Sequence, residues 1–391
     1  MVGILTLVAL LAILVGVSGF ELPIGRAREG SEQPLPGVRA VGSEVLLRVG
    51  SGAPPGGELA FLAVEPGGGL FVSDARRQSL LRFDATGHLL SEWGPRLGNL
   101  VLGEPAGVAA SGNAFYVLDR GTPRILRLDA EGRLQAVVNL AQYGTYGLNG
   151  LSIDATGDLY ATDTGRNRLM VFSPGGQLIR QVGRGGTDLG AFTQPMALAF
   201  APDASFFVAD WENGRIERWS ADFEAIDAWP TGFRPFGVAV DQLGRVFVPD
   251  TDARRIEAFT PRGIALGDIG AAGSGATIGV APKQIAVARS GPPSLYALGG
   301  EGIQRIDLEN TAPPPQSGAD VDLVSLLLIG LMVAIVVVAV VSRRQRRGAG
   351  SLGPTLHRPV RLHAKNGTQP QHQQPRPDQD LLIAHEAERE Q

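Results

Sequence analysis

The chemically active side chains that recur most regularly in this sequence are an aspartate and, five residues later, an arginine. The pair appears four times, with successive aspartates 44, 47 and 40 residues apart. A carboxylate and a guanidinium can form a strong ion pair, and Asp also accepts hydrogen bonds from the N–H groups of tight turns. Because the spacing repeats along the chain, we predict a structural role rather than ligand binding for Asp119/Arg124, Asp163/Arg168, Asp210/Arg215 and Asp250/Arg255.

The residues inside and beside these pairs differ from unit to unit. An earlier unit has the same aspartate at Asp74 but carries Ser79 in place of the arginine. If the turns of all units lie at one end of the domain, their variable side chains form a surface available to a partner. We call them the contact-face residues: Arg76, Arg77, Arg166, Trp211, Glu212 and Asp252.

The elements that must position these side chains are short strands. Each Asp ends a run of alternating residues, as in LFVSD, FYVLD, LYATD, FFVAD and VFVPD, and a second run follows, as in LLRF, ILRL, LMVF, IERW and IEAF. Alternation over four to eight residues, bounded by Gly, Pro, Asn and Asp, predicts strands joined in hairpins. A small apolar strand precedes each pair of runs and a further strand follows it, so each unit contains four strands.

The number of units predicts the fold class. Five units are followed by a degenerate sixth at residues 284–308, where Leu298 stands in place of the aspartate. Units of about 40 residues with four strands each are typical of a β-propeller, in which every blade buries its faces against its neighbours. We therefore predict an all-β protein with a six-bladed β-propeller at residues 44–310.

The ring must also close, and the sixth unit ends after its third strand. Residues 44–49 resemble the fourth strand of other units, yet no first three strands precede them. We predict that residues 44–49 pair with residues 303–308 and complete the last blade.

The segments outside the propeller predict a membrane location. Residues 1–19 are apolar and are interpreted as a signal peptide or an N-terminal membrane anchor, and residues 20–43 as a linker. A Pro-rich linker at 311–322 leads to residues 323–341, which are long and apolar enough for a transmembrane helix.

Basic residues then set the expected orientation. Four arginines between positions 343 and 347 follow the apolar segment directly, and such clusters stay in the cytoplasm. We expect the chain to cross the cell membrane once or twice, with the propeller outside the cell. Residues 342–391 are expected to form a cytoplasmic tail that is basic at first and then disordered. The rest of the chain carries 34 acidic and 26 basic residues, so no nucleic-acid partner is expected.

Residues 58–308 resemble the NHL-repeat family of six-bladed propellers. The similarity rests on YATDTGRNRLMVFSPGGQLIRQVG, GRGGTDLGAFTQPMALAF and FGVAVDQLGRVFVPDTDARRIEAF. Some members of that family carry zinc-binding ubiquitin-ligase modules or bind RNA, whereas this chain has no Cys and an acidic main domain. The resemblance implies the fold and, in general terms, an interaction surface.

A metal site is the alternative that this resemblance raises. Gluconolactonase-like propellers hold a divalent ion in the central channel through carboxylate and Asn ligands, and Asn149, Asp154 and Asp241, with Glu65, lie at or near first-strand positions. Oxygen ligands of this kind bind Ca²⁺, although acidic residues at strand ends also form turns. No catalytic residue is predicted, because His88 is the only histidine in the propeller and cannot alone form a multi-histidine zinc site.

These observations lead to one expected function and two alternatives. The first is a membrane-tethered extracytoplasmic propeller that acts as a binding or scaffold module for a protein, a glycan or a small ligand. The second is a divalent-metal-dependent hydrolase or lactonase that works in the channel. The third is a structural subunit of a membrane complex, bound through its transmembrane helix.

Overall fold

The structure, a computed structural model, describes residues 35–48, 58–271, 276–288 and 291–312. Within these ranges the chain forms six four-stranded antiparallel sheets, which are the blades of a β-propeller. The predicted fold class is confirmed for this part of the protein. We number the strands of each blade first to fourth from the central axis outwards.

The bounds of the strands follow the repeat in the sequence. Blade 1 contains Leu59–Val64, Leu70–Asp74, Ser79–Phe83 and Leu89–Trp93. Blade 2 contains Pro105–Ser111, Ala114–Asp119, Arg124–Leu128 and Leu134–Asn139. Blade 3 contains Leu148–Ile153, Leu159–Asp163, Arg168–Phe172 and Leu178–Val182.

The remaining blades and connections complete the ring. Blade 4 contains Pro195–Phe200, Phe206–Asp210, Arg215–Trp219 and Ala225–Pro230. Blade 5 contains Ala239–Val240, Val246–Asp250, Arg255–Phe259 and Ala265–Ile269. Blade 6 contains Gln284–Val287, Ser294–Gly299, Gly302–Thr311 and, as its fourth strand, Gly37–Arg48. The connections include two short paired strands, Arg96–Leu97 and Leu100–Val101, and the 3₁₀ turns Ala141–Tyr143 and Thr164–Arg166.

Burial along the strands explains why both apolar and alternating runs occur in one repeat. Every residue of the second strand of blade 3, Leu159–Asp163, is buried, because a blade packs against a neighbour on each of its two faces. The outer strand Leu178–Val182 buries only its last residue. Aromatic rings fill the space between blades 1 and 2, where Phe115 lies 4.9 Å from Phe71 and 5.3 Å from Trp93 between ring centres.

Glycines allow the first strands to approach one another near the axis. A Cβ atom added to Gly107 would meet the backbone of residues 149–151 of the next blade, and one added to Gly150 would lie 2.6 Å from the Met196 carbonyl oxygen. These contacts are shorter than atoms tolerate, so only glycine fits. The inner ring is therefore held together by direct backbone packing between blades 2, 3 and 4.

The closing strand confirms the predicted pairing and extends it. Glu44 lies opposite Arg305 and Val45 opposite Gln304, as expected, but the strand begins at Gly37, opposite Thr311. The prediction that residues 20–43 are all linker was therefore wrong for residues 37–43. The reason is an interaction distant in sequence: Val38 and Ala40 are buried against the outer strand of blade 5.

A buried arginine secures the place where the chain enters and leaves the ring. Arg245 is 1% exposed and its Nε lies 2.7 Å from Asp241 Oδ2. Its Nη1 donates to the Asn310 side chain at 2.8 Å and contacts the Gly37 carbonyl oxygen at 3.4 Å. One guanidinium thus joins blade 5 to both strands of the closing pair.

The strand order gives the propeller two different ends. The turns between second and third strands and the connections between blades lie at one end, which we call the loop face. The turns between first and second and between third and fourth strands lie at the other end, which we call the turn face. Gly37 and Thr311 pair at the turn-face end of blade 6.

The predicted segments outside the propeller cannot be compared with the structure. Residues 1–19 and 323–341, the linker residues 313–322 and the tail 342–391 lie outside the described residues. Among the residues described, no helix has the length and apolar character required to cross a bilayer.

Candidate functional site

The predicted Asp and Arg residues of blade 3 form an ion pair at the loop face. Arg168 Nε lies 2.7 Å from Asp163 Oδ2, and Asp163 is fully buried. Asp163 Oδ1 accepts the Tyr146 N–H at 2.7 Å, and Arg168 Nη2 donates to the Tyr143 carbonyl oxygen at 2.8 Å. The pair therefore fixes the connection from blade 2 to blade 3 as well as its own hairpin.

The same arrangement recurs around the ring. The shortest distances within the pairs are 2.9 Å for Asp119/Arg124, 2.9 Å for Asp210/Arg215 and 3.3 Å for Asp250/Arg255. In blade 1, which has Ser79 in place of the arginine, Asp74 accepts the Glu58 N–H at 2.9 Å. In blade 6 the Leu298 carbonyl oxygen accepts the Lys283 N–H instead. These contacts give the loop face a fixed backbone.

The contact-face residues all lie in the second–third strand turns at the loop face. Arg76 and Arg77 belong to blade 1, Arg166 to blade 3, and Asp252 to blade 5. In blade 4, Glu212 forms an ion pair with Arg234 at 3.0 Å. The Arg234 guanidinium carbon also lies 5.0 Å from the centre of the Trp211 ring, which is a favourable cation–π distance.

Two residues of this surface were missed by the sequence reasoning. Tyr146 is 70% exposed and lies beside Gly165, next to Arg166. Arg234, whose side chain is 59% exposed, covers Trp211. Both lie in connections between blades, where lengths vary and no repeat spacing marks a position. For Tyr146 the available signal was an isolated aromatic residue in such a connection, and for Arg234 there was none.

The central channel contains a cavity enclosed by the described residues. Its volume is about 380 Å³, and the first strands of all six blades line it. The lining side chains are mostly small, and they include Ala63, Ala110, Ser152, Ala199, Val240 and Ala286. Asp154 and Asp241 lie at its turn-face end.

The predicted metal ligands are not brought together. Asp154 and Asp241 lie in first–second strand turns at the turn face, whereas Asn149 lies near the loop-face end of blade 3. Asp154 Oδ1 accepts the N–H groups of Thr156 and Asp158, both at 2.9 Å. Within the described ranges, no group of three or more His, Asp or Glu side chains is placed to hold a metal ion.

The other two candidate ligands are also engaged within the protein. Both carboxylate oxygens of Glu65 accept hydrogen bonds from Arg82, each at 2.8 Å. The Asn149 side chain donates to Thr164 at 2.9 Å and accepts from Arg120 at 2.9 Å. Glu65 therefore binds the third strand of blade 1, and Asn149 links blade 3 to Arg120 of blade 2.

One buried carboxyl group escaped the sequence reasoning. Glu217 lies on the third strand of blade 4 and is fully buried. Burial raises the pKa of Glu217 to about 7, although the Gly190 N–H and Arg215 offset part of this effect. The signal in the sequence is IERW, where the corresponding residues of blades 1 to 3 are apolar.

Comparison with known proteins adds evidence on the fold alone. No family model matches this sequence, and no curated protein is significantly similar to it. A solved streptogramin B lyase superposes with a TM-score of 0.52 at 14% identity, over 70% of this chain and 98% of that chain. A gluconolactonase from Xanthomonas campestris gives 0.52 at 18% identity, over 74% and 99%.

A third solved structure gives the same result. Virginiamycin B lyase from Staphylococcus aureus superposes with a TM-score of 0.51 at 11% identity, over 68% of this chain and 99% of that chain. Propellers of one architecture carry out different functions, and all three identities are low. This chain is therefore a six-bladed β-propeller structurally similar to these lyases and lactonases.

Proposed function

We propose that this protein is a membrane-tethered, extracytoplasmic binding module that presents the loop face of its propeller to a partner, best suited to a protein. The observation that carries the proposal is a set of aromatic and arginine side chains on that face, in which Tyr146, Arg166 and Arg234 are exposed and Trp211 is half-buried. Tyr146 lies beside Arg166, and Trp211 lies under Arg234. Tyr, Trp and Arg dominate the energetics of protein interfaces.

The backbone beneath these side chains supports the same proposal. Asp163 and Arg168 bind the connection that carries Tyr146, and Asp210 and Arg215 bind the hairpin that carries Trp211. A surface held in one conformation loses little conformational entropy when a partner binds. The chain also enters and leaves the ring at the turn face, so the flanking segments do not start from the loop face.

The tether itself rests on the sequence. Residues 323–341 are apolar and directly precede a cluster of arginines, which is the pattern of a transmembrane helix with its following tail in the cytoplasm. A glycan or a small ligand could bind the same surface, but it would contact a smaller area of it than a protein would.

The test is recovery of a partner from gently solubilised membranes. The full-length protein is expected to retain a stoichiometric partner, and a double substitution, Tyr146→Ala with Trp211→Ala, is expected to lose it. The matched control is Leu243→Ala, because Leu243 is 46% exposed but lies on the turn face. Equal recovery with all three proteins, or no partner with any, would contradict the proposal.

The alternative is a metal-dependent hydrolase or lactonase in the channel. It is favoured by the cavity of about 380 Å³ at the axis and opposed by the internal hydrogen bonds of Glu65, Asp154 and Asp241. An ion that binds only the folded protein raises its melting temperature. A calcium-dependent rise that a chelator reverses would therefore favour the hydrolase, and lactones and esters would then be tested as substrates.

A further inference from the structure

The connection between blades 3 and 4, residues 183–194, is bound to blade 4 by several polar side chains. We call it the blade 3–4 loop. Arg215 donates to three of its carbonyl oxygens, at 2.7, 3.0 and 2.6 Å, which belong to Thr187, Asp188 and Ala191. The side chain of Asn213 donates to a fourth, on Gly186, at 2.9 Å.

Two carboxyl groups of blade 4 also hold this loop. Asp210 Oδ1 accepts the Thr193 N–H at 2.7 Å, and Glu217 Oε1 accepts the Gly190 N–H at 2.5 Å. Both acidic side chains are fully buried. The loop is thus held against blade 4 by one arginine, one amide and two acidic side chains, and we call this state the closed loop.

The two acids share a single cation. Arg215 Nε lies 2.9 Å from Asp210 Oδ2, and Arg215 Nη2 lies 3.8 Å from Glu217 Oε1. Glu217 Oε2 has no hydrogen-bond partner of good geometry within the described residues, although the Trp219 side chain lies close enough to lower the pKa of Glu217 and so offset part of the effect of burial. If both acids were ionised, the site would hold an excess negative charge away from water, which is costly. Protonation of Glu217 removes that charge.

The surroundings of Glu217 offer little other compensation. On blade 4, Glu217 lies opposite Val208, and Val208 and Trp219 belong to the apolar cluster between blades 3 and 4, to which blade 3 contributes Leu169, Val171 and Val182. The loop's own charged pair, Arg184 and Asp188, is 63% and 80% exposed. The nearby charged groups of blade 3 are engaged elsewhere: Arg168 pairs with Asp163, and Arg180 lies over the Phe223 ring.

We propose that Glu217 makes closure of the blade 3–4 loop depend on pH: the loop is closed while Glu217 carries a proton, and loss of that proton favours an opened loop in which the carboxylate is hydrated. The step is a simple proton exchange with water and needs no other reactant.

Opening of the blade 3–4 loop would also alter the contact face. The Glu212 N–H donates to the Thr193 carbonyl oxygen at 3.1 Å, so the blade 3–4 loop supports the turn that carries Trp211 and Glu212. A pH-dependent loop therefore changes part of the partner-binding surface. This consequence rests on the proposed function, whereas the opening of the loop does not.

The direction of the effect follows from the two states. In the closed loop the pKa of Glu217 is raised to about 7, against 4.5 for the solvated group. As the pH rises from 4.5 to 7, the opened state loses its proton while the closed state keeps it. The opening constant should therefore rise by about tenfold per pH unit in this window and level off above it.

Amide hydrogen exchange of the full-length protein between pH 5 and 8 tests this. The amides of Gly190, Phe192 and Thr193 report on the loop, after correction for the intrinsic pH dependence of exchange. The logarithm of their opening constant should rise with a slope near one up to about pH 7. The variant Glu217→Gln, which keeps the shape of the protonated acid, should show no slope.

The matched control is Glu257→Gln in blade 5. Glu257 occupies the same strand position beside Arg255, but its side chain is 14% exposed and Arg255 also pairs with Asp268. This variant should keep the wild-type slope.

Two results would overturn the proposal: a flat profile in the wild-type protein, or a slope that persists in Glu217→Gln. If Glu217→Gln fails to fold, the wild-type profile still decides, since a flat profile rejects the proposal and a slope that levels off near pH 7, the pKa of Glu217 in the closed loop, supports it. No partner is present in this experiment, so its failure leaves the proposed binding function untouched. Loss of the partner in the pull-down would equally leave the loop proposal untouched.

Discussion

At the scale of single residues, the Asp and Arg pairs show how one repeated contact can hold two connections. Asp163 accepts a hydrogen bond from the Tyr146 N–H and forms an ion pair with Arg168. Arg168 also donates a hydrogen bond to the Tyr143 carbonyl oxygen. The carboxylate is fully buried, so its charge is tolerated only because these donors surround it. The pair therefore fixes the position of the connection between blades 2 and 3 at the loop face.

Replacing Arg168 with Leu should destabilise the propeller strongly, because it leaves Asp163 buried without its cation. Removal of one partner from a buried ion pair costs about 3–5 kcal/mol of unfolding free energy, reduced here because Arg168 is 20% exposed. Denaturant unfolding measures the change. The control, Arg127→Leu, alters an exposed arginine on the third strand of blade 2 and should change the unfolding free energy by about 0.5 kcal/mol or less. Equal effects of the two substitutions would contradict the role given to Asp163 and Arg168.

At the scale of elements, the closing strand Gly37–Arg48 matters more than its own sequence suggests. It contributes Val38 and Ala40 to the core of blades 5 and 6. Arg245 then binds its first residue and the neighbouring Asn310. The strand is thus held by blade 5 as well as by its pairing partner in blade 6.

The substitution Arg245→Leu tests this attachment. Arg245 is 1% exposed and Asp241 is 10% exposed, so the variant leaves a largely buried carboxylate unpaired and should lower the unfolding free energy by about 3 kcal/mol. Amide exchange at residues 37–40 should accelerate more than exchange in blades 2 and 3. The control is Arg133→Leu, since Arg133 has the same spacing from Asp129 but is 70% exposed. Uniform acceleration across all blades would indicate that Arg245 does not act on the closing strand.

At the scale of the whole molecule, stability depends on joining two strands that are far apart in sequence. Arg39 and Glu309, which pair across the closing strands, are 270 positions apart. The entropy lost on closing such a long loop must be recovered by the contacts of that strand pair. Opening at this seam is the expected first step of unfolding.

A disulfide across the seam should therefore stabilise the protein. Glu44 and Arg305 lie directly opposite each other, and the chain has no cysteine of its own. The double variant Glu44→Cys with Arg305→Cys should, when oxidised, gain about 5 kcal/mol relative to its reduced form, since the bond removes most of the loop-closure entropy from the unfolded chain. The reduced form of the same protein is the control. A melting temperature that does not change on oxidation would contradict the entropic cost assigned to joining these two strands.

The features predictable from the sequence were those with a local pattern. The strands around Asp119, Asp163, Asp210 and Asp250 follow from the alternation of residues and the period of the repeat. Because the sixth unit lacks a fourth strand, residues 44–49 could be predicted to supply it. The part of the closing strand at residues 37–43 had no such pattern, because its burial depends on blade 5. Arg245 likewise acts on Gly37, 208 positions away.

The candidate site was predictable to a smaller extent. The turns after each aspartate lie at one end of the ring, because their positions follow from the strand order. Tyr146 and Arg234 lie in connections of variable length and could not be assigned. The burial of Glu217 depends on how blades 3 and 4 pack, which no spacing within one unit reveals.

The pairing of Gly37 with Thr311 at the same edge of the ring has a mechanical consequence. Tension that pulls the two flanking segments apart would act across the ladder between Gly37–Arg48 and Gly302–Thr311, and would load its hydrogen bonds one after another rather than all at once. The register breaks at Ala40/Gly42 and Val45/Leu47 would divide this peeling into short steps. Heat and denaturant act on the whole core of the ring, whereas a pulling force would act on the contacts of this strand pair in succession, beginning with the hydrogen bonds of Gly37 and the packing of Val38.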